Sequence, residues 1–214
     1  MAWPAGTSLV AIDRTHAMLG AVFPVEAGPA LVGDWRALPI RDRAIDWIVG
    51  DGCATLLDYP AGYASVAAEL RRVLADDGEL ALRLFAAPEL PEPLLDVARD
   101  LAAGRIGNFH ILKWRLAMAI QPPSRNVRVR DILAVFDRFV HDRAALAERT
   151  GWSPSEIATI DAYRESTMEY SFPTLAEARA AFAPWFREVA CVFADYELGE
   201  RCPVLILRAG PTGP

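Results

Sequence analysis

The chain has 214 residues, 53% of them apolar, and a formal net charge of −6. That is enough apolar material for one well-packed domain, and no clustered basic stripe is present to neutralise phosphates, which excludes sequence-independent nucleic-acid binding. No apolar run approaches the roughly 18 residues needed to span a bilayer, and the N-terminus lacks the basic and apolar regions of a signal peptide, so a cytoplasmic protein without membrane contact is expected.

The cationic residues are 21 Arg and a single Lys, Lys113, a bias typical of GC-rich bacterial genomes. Cys53, Cys191 and Cys202 are odd in number and have no C-x-x-C spacing. Cys191 and Cys202 lie in apolar, strand-like contexts and read as buried free thiols in a reducing compartment. His16, His110 and His141 form no H-x-x-x-H pair, so no metal site is expected.

Apolar runs that end in acids open the chain. Ser8–Asp13 predicts a short strand, and Thr15–Phe23 a helix with Thr15 as its cap. Residues 29–34 predict a second strand and 43–50 a third, leading into Gly50-Asp51-Gly52. Val66, Leu70, Val73 and Leu74 place an apolar face on a helix over 62–75. Asp77-Gly78 ends that helix, and 79–85 is a fourth strand. Such strand–helix alternation with short connections implies parallel pairing with right-handed crossovers.

Beyond Pro88 the pattern turns helical, over 91–103, 108–120, 129–149 and 153–167, with a further short helix at 174–182. Residues 188–196 and 203–208 are β-rich and joined by a turn at 197–201, as in an antiparallel hairpin. About a hundred residues separate the fourth strand from that hairpin, where a crossover needs about a dozen. The excess is a helical insertion at the carboxyl edge of the sheet: a lid or substrate cap as the functional reading, a packing decoration as the plain one. The organisation expected is an α/β part over 1–87, an insertion with crossover helix over 88–184, a closing β-hairpin of the same sheet over 185–209, and a tail over 210–214.

The segments Val10–Leu19, Val32–Pro39, Asp42–Val49 and Glu69–Gly78, in this order and spacing, resemble class I S-adenosylmethionine-dependent methyltransferases. The closing hairpin is similar to the antiparallel end of that family's sheet. The resemblance implies a Rossmann-like, mostly parallel sheet and S-adenosylmethionine as cofactor. It implies Asp13 on the ribose hydroxyls, where a carboxylate offers two acceptor oxygens, with Arg14 beside it. Gly33 and Asp34 would meet the adenine amino group, with the Trp35 amide donating to the ring and Met18 or Leu19 packing on its face. Asp51 and Gly52 would pass the methionine part. Each residue also has a plain reading: Asp13 as a helix cap, Asp34 and Gly50–Gly52 as turns, Met18 as core. Cys53, Tyr59 and Tyr63 are placed facing the transferred methyl or, equally, in the core. His110 and Trp114 on an insertion helix are within possible reach of the site. No catalytic residue is readable.

The chain departs from the family at its start. Only residues 1–7 precede the first strand, so the expected sheet is N-terminally incomplete, lacking a first strand and its glycine-rich loop. Two rows of backbone groups would then lie unpaired. An upstream start, a strand supplied by another chain or segment, a homo-oligomer, or lost cofactor binding are the accounts this raises. The function expected is methyl transfer to a small-molecule acceptor. The rivals are an inactive methyltransferase-like binding or regulatory protein and a nicotinamide-dependent oxidoreductase fragment.

Overall fold

A computed structural model describes residues 4–210. Strand β1 (Ala11–Asp13) leads into helix α1 (His16–Val22), and the Thr15 hydroxyl caps that helix by accepting from the Met18 amide. Strand β2 (Ala30–Val32) then pairs with β1 in parallel, Ala11 opposite Ala30 and Asp13 opposite Val32. Strand β3 (Ile45–Asp51), helix α2 (Ala61–Val73) and strand β4 (Leu74–Arg83) form a second parallel unit.

The chain returns to this sheet at its end. Strand β7 (Phe186–Val192) and strand β8 (Val204–Ala209) are antiparallel, and β8 also runs antiparallel to β4, giving the order β3-β4-β8-β7. This is a Rossmann-like α/β fold closed by an antiparallel hairpin. Alternation explains its core: Leu80, Leu82 and Leu84 of the β4 segment are buried, as are Leu205 and Leu207 of β8. Against them lie Tyr63, Val66 and Leu70 of α2 and Phe182 of helix α8 (Leu175–Phe182), which opens with a capping box of Thr174 and Glu177.

Two local expectations are corrected here. Asp77-Gly78 does not separate helix from strand, because β4 already begins at Leu74, which pairs with Ile45; the register shifts between Ile45 and Trp47 to absorb the acidic turn-like segment. The hairpin connection is also longer than 197–201, since β7 ends at Val192 and β8 begins at Val204.

Between β4 and α8 lies the insertion, with its own apolar cluster around Phe109, Leu112, Phe136, Phe172 and Ile160. It contains α3 (Leu94–Ala102), α4 (Phe109–Ile120, capped by Asn108), α5 (Val129–Phe139), α6 (Arg143–Thr150) and α7 (Pro154–Ala158). The single helix expected over 129–149 is two helices. Val140 leaves the helical region, and Asp142 starts a new N-terminus by accepting from the Ala145 amide. The helical stretch expected over 153–167 ends early: α7 passes into a 3-10 turn over Thr159–Tyr163. The insertion also holds an antiparallel pair, β5 (Asn126–Arg128) with β6 (Glu169–Ser171).

That pair anchors the insertion to the loop after β3. The Tyr59 amide donates to Asn126 Oδ1 at 3.0 Å, Asn126 Nδ2 donates to the Tyr59 carbonyl at 3.1 Å, and Ser171 Oγ donates to the Leu57 carbonyl at 2.6 Å. A second anchor is ionic. Arg115 of α4 and Arg201, before β8, both bind the Glu92 carboxylate, and Arg115 also binds Asp100.

Among the described residues, β1–β2 and β3-β4-β8-β7 form separate sheets. A cleft of about 300 Å³ lies between them, lined by Val10 and Ile12 on one side, Trp47 and Val49 on the other, and Trp35 and Leu38 from the loop after β2.

Candidate active site at the carboxyl edge of the sheet

The carboxyl ends of β1, β2, β3 and β4 carry Asp13, Gly33-Asp34, Asp51-Gly52 and Arg83 respectively. Asp13 Oδ1 accepts from the Thr15 amide at 2.8 Å and from the Thr15 hydroxyl at 3.0 Å. This is the capping turn that brings the chain into α1. Asp13 Oδ2 has no hydrogen-bond partner among the described residues. The Gly33 amide donates to the Asp13 carbonyl at 3.0 Å, and a Cβ on Gly33 would come within 3.3 Å of the Ile12 side chain.

Asp34 is fully engaged. Its Oδ1 accepts from the Arg36 amide and Nε, its Oδ2 from Arg36 Nη2 at 2.6 Å, and these bonds hold its carboxyl well below the usual carboxylate range. Its carbonyl also closes a turn by accepting from the Ala37 amide, so the plain turn role is present in full. Arg14 is exposed and acts on Asp34 through its charge. Met18 is about half exposed, whereas Leu19 beside it is buried, so the core position on α1 belongs to Leu19. Trp35 turns its indole toward β1, where Nε1 donates to the Ile12 carbonyl at 2.8 Å.

On the other side of the cleft Gly52 adopts φ +65°, and a Cβ there would lie 2.5 Å from the Phe85 ring, so the position requires glycine. Asp51 is held by Arg83 Nε. Burial works against the Arg83 charge, but hydrogen bonds to Asp51 and to the Tyr196 hydroxyl outweigh it and strengthen it as a cation. The Arg83 guanidinium also lies 5.5 Å from the Phe85 ring centre, and Phe85 stacks on Trp114 of α4 at 4.7 Å.

Arg83, Phe85 and Tyr196 are therefore site residues that the sequence reading did not single out. The available signal was an arginine within the otherwise apolar Leu80–Phe85. Trp114 reaches the edge. His110 is exposed on the same helix, beside Phe109 and Lys113, and burial and the Lys113 charge lower its pKa. Of the three residues after Gly52, Tyr63 is buried in the sheet core. Burial pushes the Cys53 thiol up to about 11, with the Asp51 and Asp13 carboxylates adding to the shift. Ile12 of β1 and Asp51 of β3 line the same cleft, which brings the ends of those strands to one edge of the molecule. Cys202 is buried as expected, while Cys191 is only half-buried.

No family model matches the sequence, and a comparison with curated proteins gives no match. Solved structures do match. A SAM-dependent methyltransferase from Methanosarcina mazei is 16% identical with a TM-score of 0.54, covering 94% of this chain and 82% of its own. An S-adenosylmethionine-dependent methyltransferase from Mesorhizobium loti is 11% identical with a TM-score of 0.50, covering 94% and 80%. A structure from Rhodobacter sphaeroides described as a zinc-dependent alcohol dehydrogenase is 11% identical with a TM-score of 0.59, covering 95% and 76%. At these identities the likeness is one of fold: a Rossmann-like α/β sheet closed by an antiparallel hairpin.

Proposed function

We propose that this chain transfers the methyl group of S-adenosylmethionine to a small-molecule acceptor beneath its helical insertion. The observation that carries this reading is the sheet order: antiparallel β8 sits between β4 and β7 in a sheet that is otherwise parallel at β3 and β4, with Asp51 and Gly52 at the carboxyl end of β3. A purely parallel nicotinamide-binding sheet has no place for that strand.

The residues fit the cofactor unevenly. Asp13 Oδ2 is free to accept from a ribose hydroxyl, and Gly52 allows the backbone close approach. Asp34 would have to release Arg36 before meeting an adenine amino group. When bound, S-adenosylmethionine supplies an electrophilic methyl on its sulfonium. The chain's own part is then positioning: Phe85 and Trp114 wall the edge, Arg83 neutralises Asp51, and the insertion covers the acceptor. Anchoring of that cover at Tyr59–Asn126 and Leu57–Ser171 supports the substrate-cap reading.

Calorimetry with S-adenosylmethionine, S-adenosylhomocysteine and NADH tests the reading. Binding of the two adenosylated ligands without NADH supports it; binding of NADH alone, or of none, defeats it. The second reading, a binding protein without turnover, is favoured by the arginines that engage both oxygens of Asp34 and one oxygen of Asp51. Cofactor binding with no methyl transfer to any acceptor in a small-molecule panel would establish that reading instead.

A further inference from the structure

Three cationic side chains are buried among the described residues: Arg71, Lys113 and Arg115. Arg71 donates to the Gly210 and Leu74 carbonyls and to Asp76, and Arg115 is held by Glu92 and Asp100. Lys113 is the one lysine in a chain that otherwise uses arginine for its cations. Among the described residues no carboxylate pairs with it. Its surroundings are aromatic instead: Nζ lies 5.3 Å from the ring centre of Phe109, one turn back on α4, and 5.8 Å from that of Tyr163.

The acids on the elements packed around α4 are engaged elsewhere. Asp137 of α5 and Asp161 of the 3-10 turn both bind Arg143, and Asp100 of α3 binds Arg105 and Arg115. Glu156 of α7 accepts from the Ser153 amide in its capping box and acts on His110 through its charge. His110, on α4 itself, feels the Lys113 charge as a repulsion. The Tyr163 hydroxyl donates to that of Tyr170 at 3.3 Å, and burial keeps Tyr163 protonated. None of these groups offsets the loss of water around Lys113, whose pKa burial alone lowers. Burial without a counter-charge favours the neutral amine, a form that lysine can adopt and arginine cannot. The amine is not sealed in. Gln121 Oε1 is the one side-chain nitrogen or oxygen that is both fully buried and unpartnered among the described residues, so Lys113 Nζ keeps contact with water.

We propose that Lys113 is a covalent site for uncharged aldehydes. Its neutral amine attacks the carbonyl carbon, and a C–N bond forms. The carbonyl oxygen then leaves as water with the two amine protons, and an imine remains. No oxidant or reductant is consumed. The imine is uncharged and fits between the Phe109 and Tyr163 rings, where an unpaired ammonium is poorly solvated. An aldehyde bearing a carboxylate is disfavoured, because condensation removes the one cation that could pair with it there.

The test uses the whole chain with propanal, and sodium cyanoborohydride fixes the imine as an alkylamine. Peptide mapping by mass spectrometry follows Lys113 separately from the α-amine of the chain, and Nα-acetyllysine in the same solution corrects for pH and denaturant. Near pH 7, Lys113 is expected to react roughly tenfold faster in the folded chain than in guanidinium chloride, because burial enriches its neutral form. Its rate should also rise through its midpoint at lower pH in the folded chain. A lysine that is merely buried gives the reverse order, since folding only shields it. Glyoxylate, an aldehyde with a carboxylate, should show no such advantage. Equal or slower reaction of Lys113 in the folded chain would overturn the proposal, as would an equal folded-state advantage for glyoxylate.

Discussion

The indole of Trp35 donates to the carbonyl of Ile12 across 23 residues of sequence, at 2.8 Å. It ties the loop after β2 to the open edge of β1 and satisfies one backbone group that no strand reaches. Trp35→Phe keeps the ring and removes the donor. A neutral hydrogen bond is worth about 0.5–1.5 kcal/mol net, and for a chain of this size that corresponds to about 1–6 °C in Tm. Thermal unfolding followed by circular dichroism measures it; an unchanged Tm would show that water replaces the indole without loss.

Asp13 joins local structure to the proposed cofactor. Its Oδ1 is used by the turn into α1, and its Oδ2 is free. Charge-assisted hydrogen bonds to a ribose contribute about 1.5–3 kcal/mol, so Asp13→Asn should weaken S-adenosylmethionine by about ten- to a hundredfold in calorimetry. Asparagine can still cap the turn, so little change in Tm is expected. Unchanged affinity would remove Asp13 from the site.

Gly52 and Phe85 leave no room for a side chain. Gly52→Ala would place a methyl 2.5 Å from the ring at a backbone φ that alanine rarely adopts. A loss of about 1–3 kcal/mol follows from the strained backbone, more if Phe85 shifts. The Phe85–Trp114 stack should loosen with it, so near-ultraviolet dichroism is expected to fall along with Tm.

The carboxylate anchor of the insertion sets an acid limit. Burial alone would raise the Glu92 pKa, but Arg115 and Arg201 outweigh it and hold the group below its ordinary value of 4.5. Asp100 is lowered too, by Arg115 and Arg105. Groups lowered in the folded state stabilise it above their unfolded values and lose that contribution as pH falls through their folded ones. Tm should therefore vary little with these groups between pH 6 and 8 and fall below about pH 4.5. Glu92→Gln should cost about 2 kcal/mol at pH 7, less than the roughly 3–5 kcal/mol for breaking a fully buried pair because solvent partly screens this one. That cost should shrink toward acid pH in a melting series.

Cys53 should be a slow nucleophile. With its pKa raised to about 11 by burial, its thiolate at pH 8 is roughly a hundredfold scarcer than that of an ordinary cysteine. Iodoacetamide followed by mass spectrometry should modify it at least a hundredfold more slowly than in urea. Equal rates would place the thiol in solvent.

Caps and periodic faces were legible because they are local. Thr15, Asn108 and Thr174 cap helices as their residue types predict, and on the α2 stripe Val66 and Leu70 pack against the sheet while Val73 is buried. The break at Val140–Asp142 was hidden beneath a continuing apolar stripe, and only a capping aspartate gave it away. Strands β5 and β6, three residues each, are too short to carry a period. Among site residues, the ends of β1, β2 and β3 were visible as acids and glycines after apolar runs. Arg36's hold on Asp34 and Arg83's on Asp51 were not, because an arginine's partner is set by where its long side chain ends.

The order of the sheet strands, the helix α2 between them, the helix caps and the acids at the strand ends follow from the sequence itself, since each depends on residues a few positions apart and on the burial of apolar faces. Which of those acids remain free, how the insertion is fastened to the sheet, and that β1–β2 and β3-β4-β8-β7 stand apart across an apolar cleft were decided by tertiary structure. A strand's second edge and a charged side chain's partner lie far away in sequence, as Ile12 does from Trp35 and Arg83 from Asp51. They are chosen only when the elements pack.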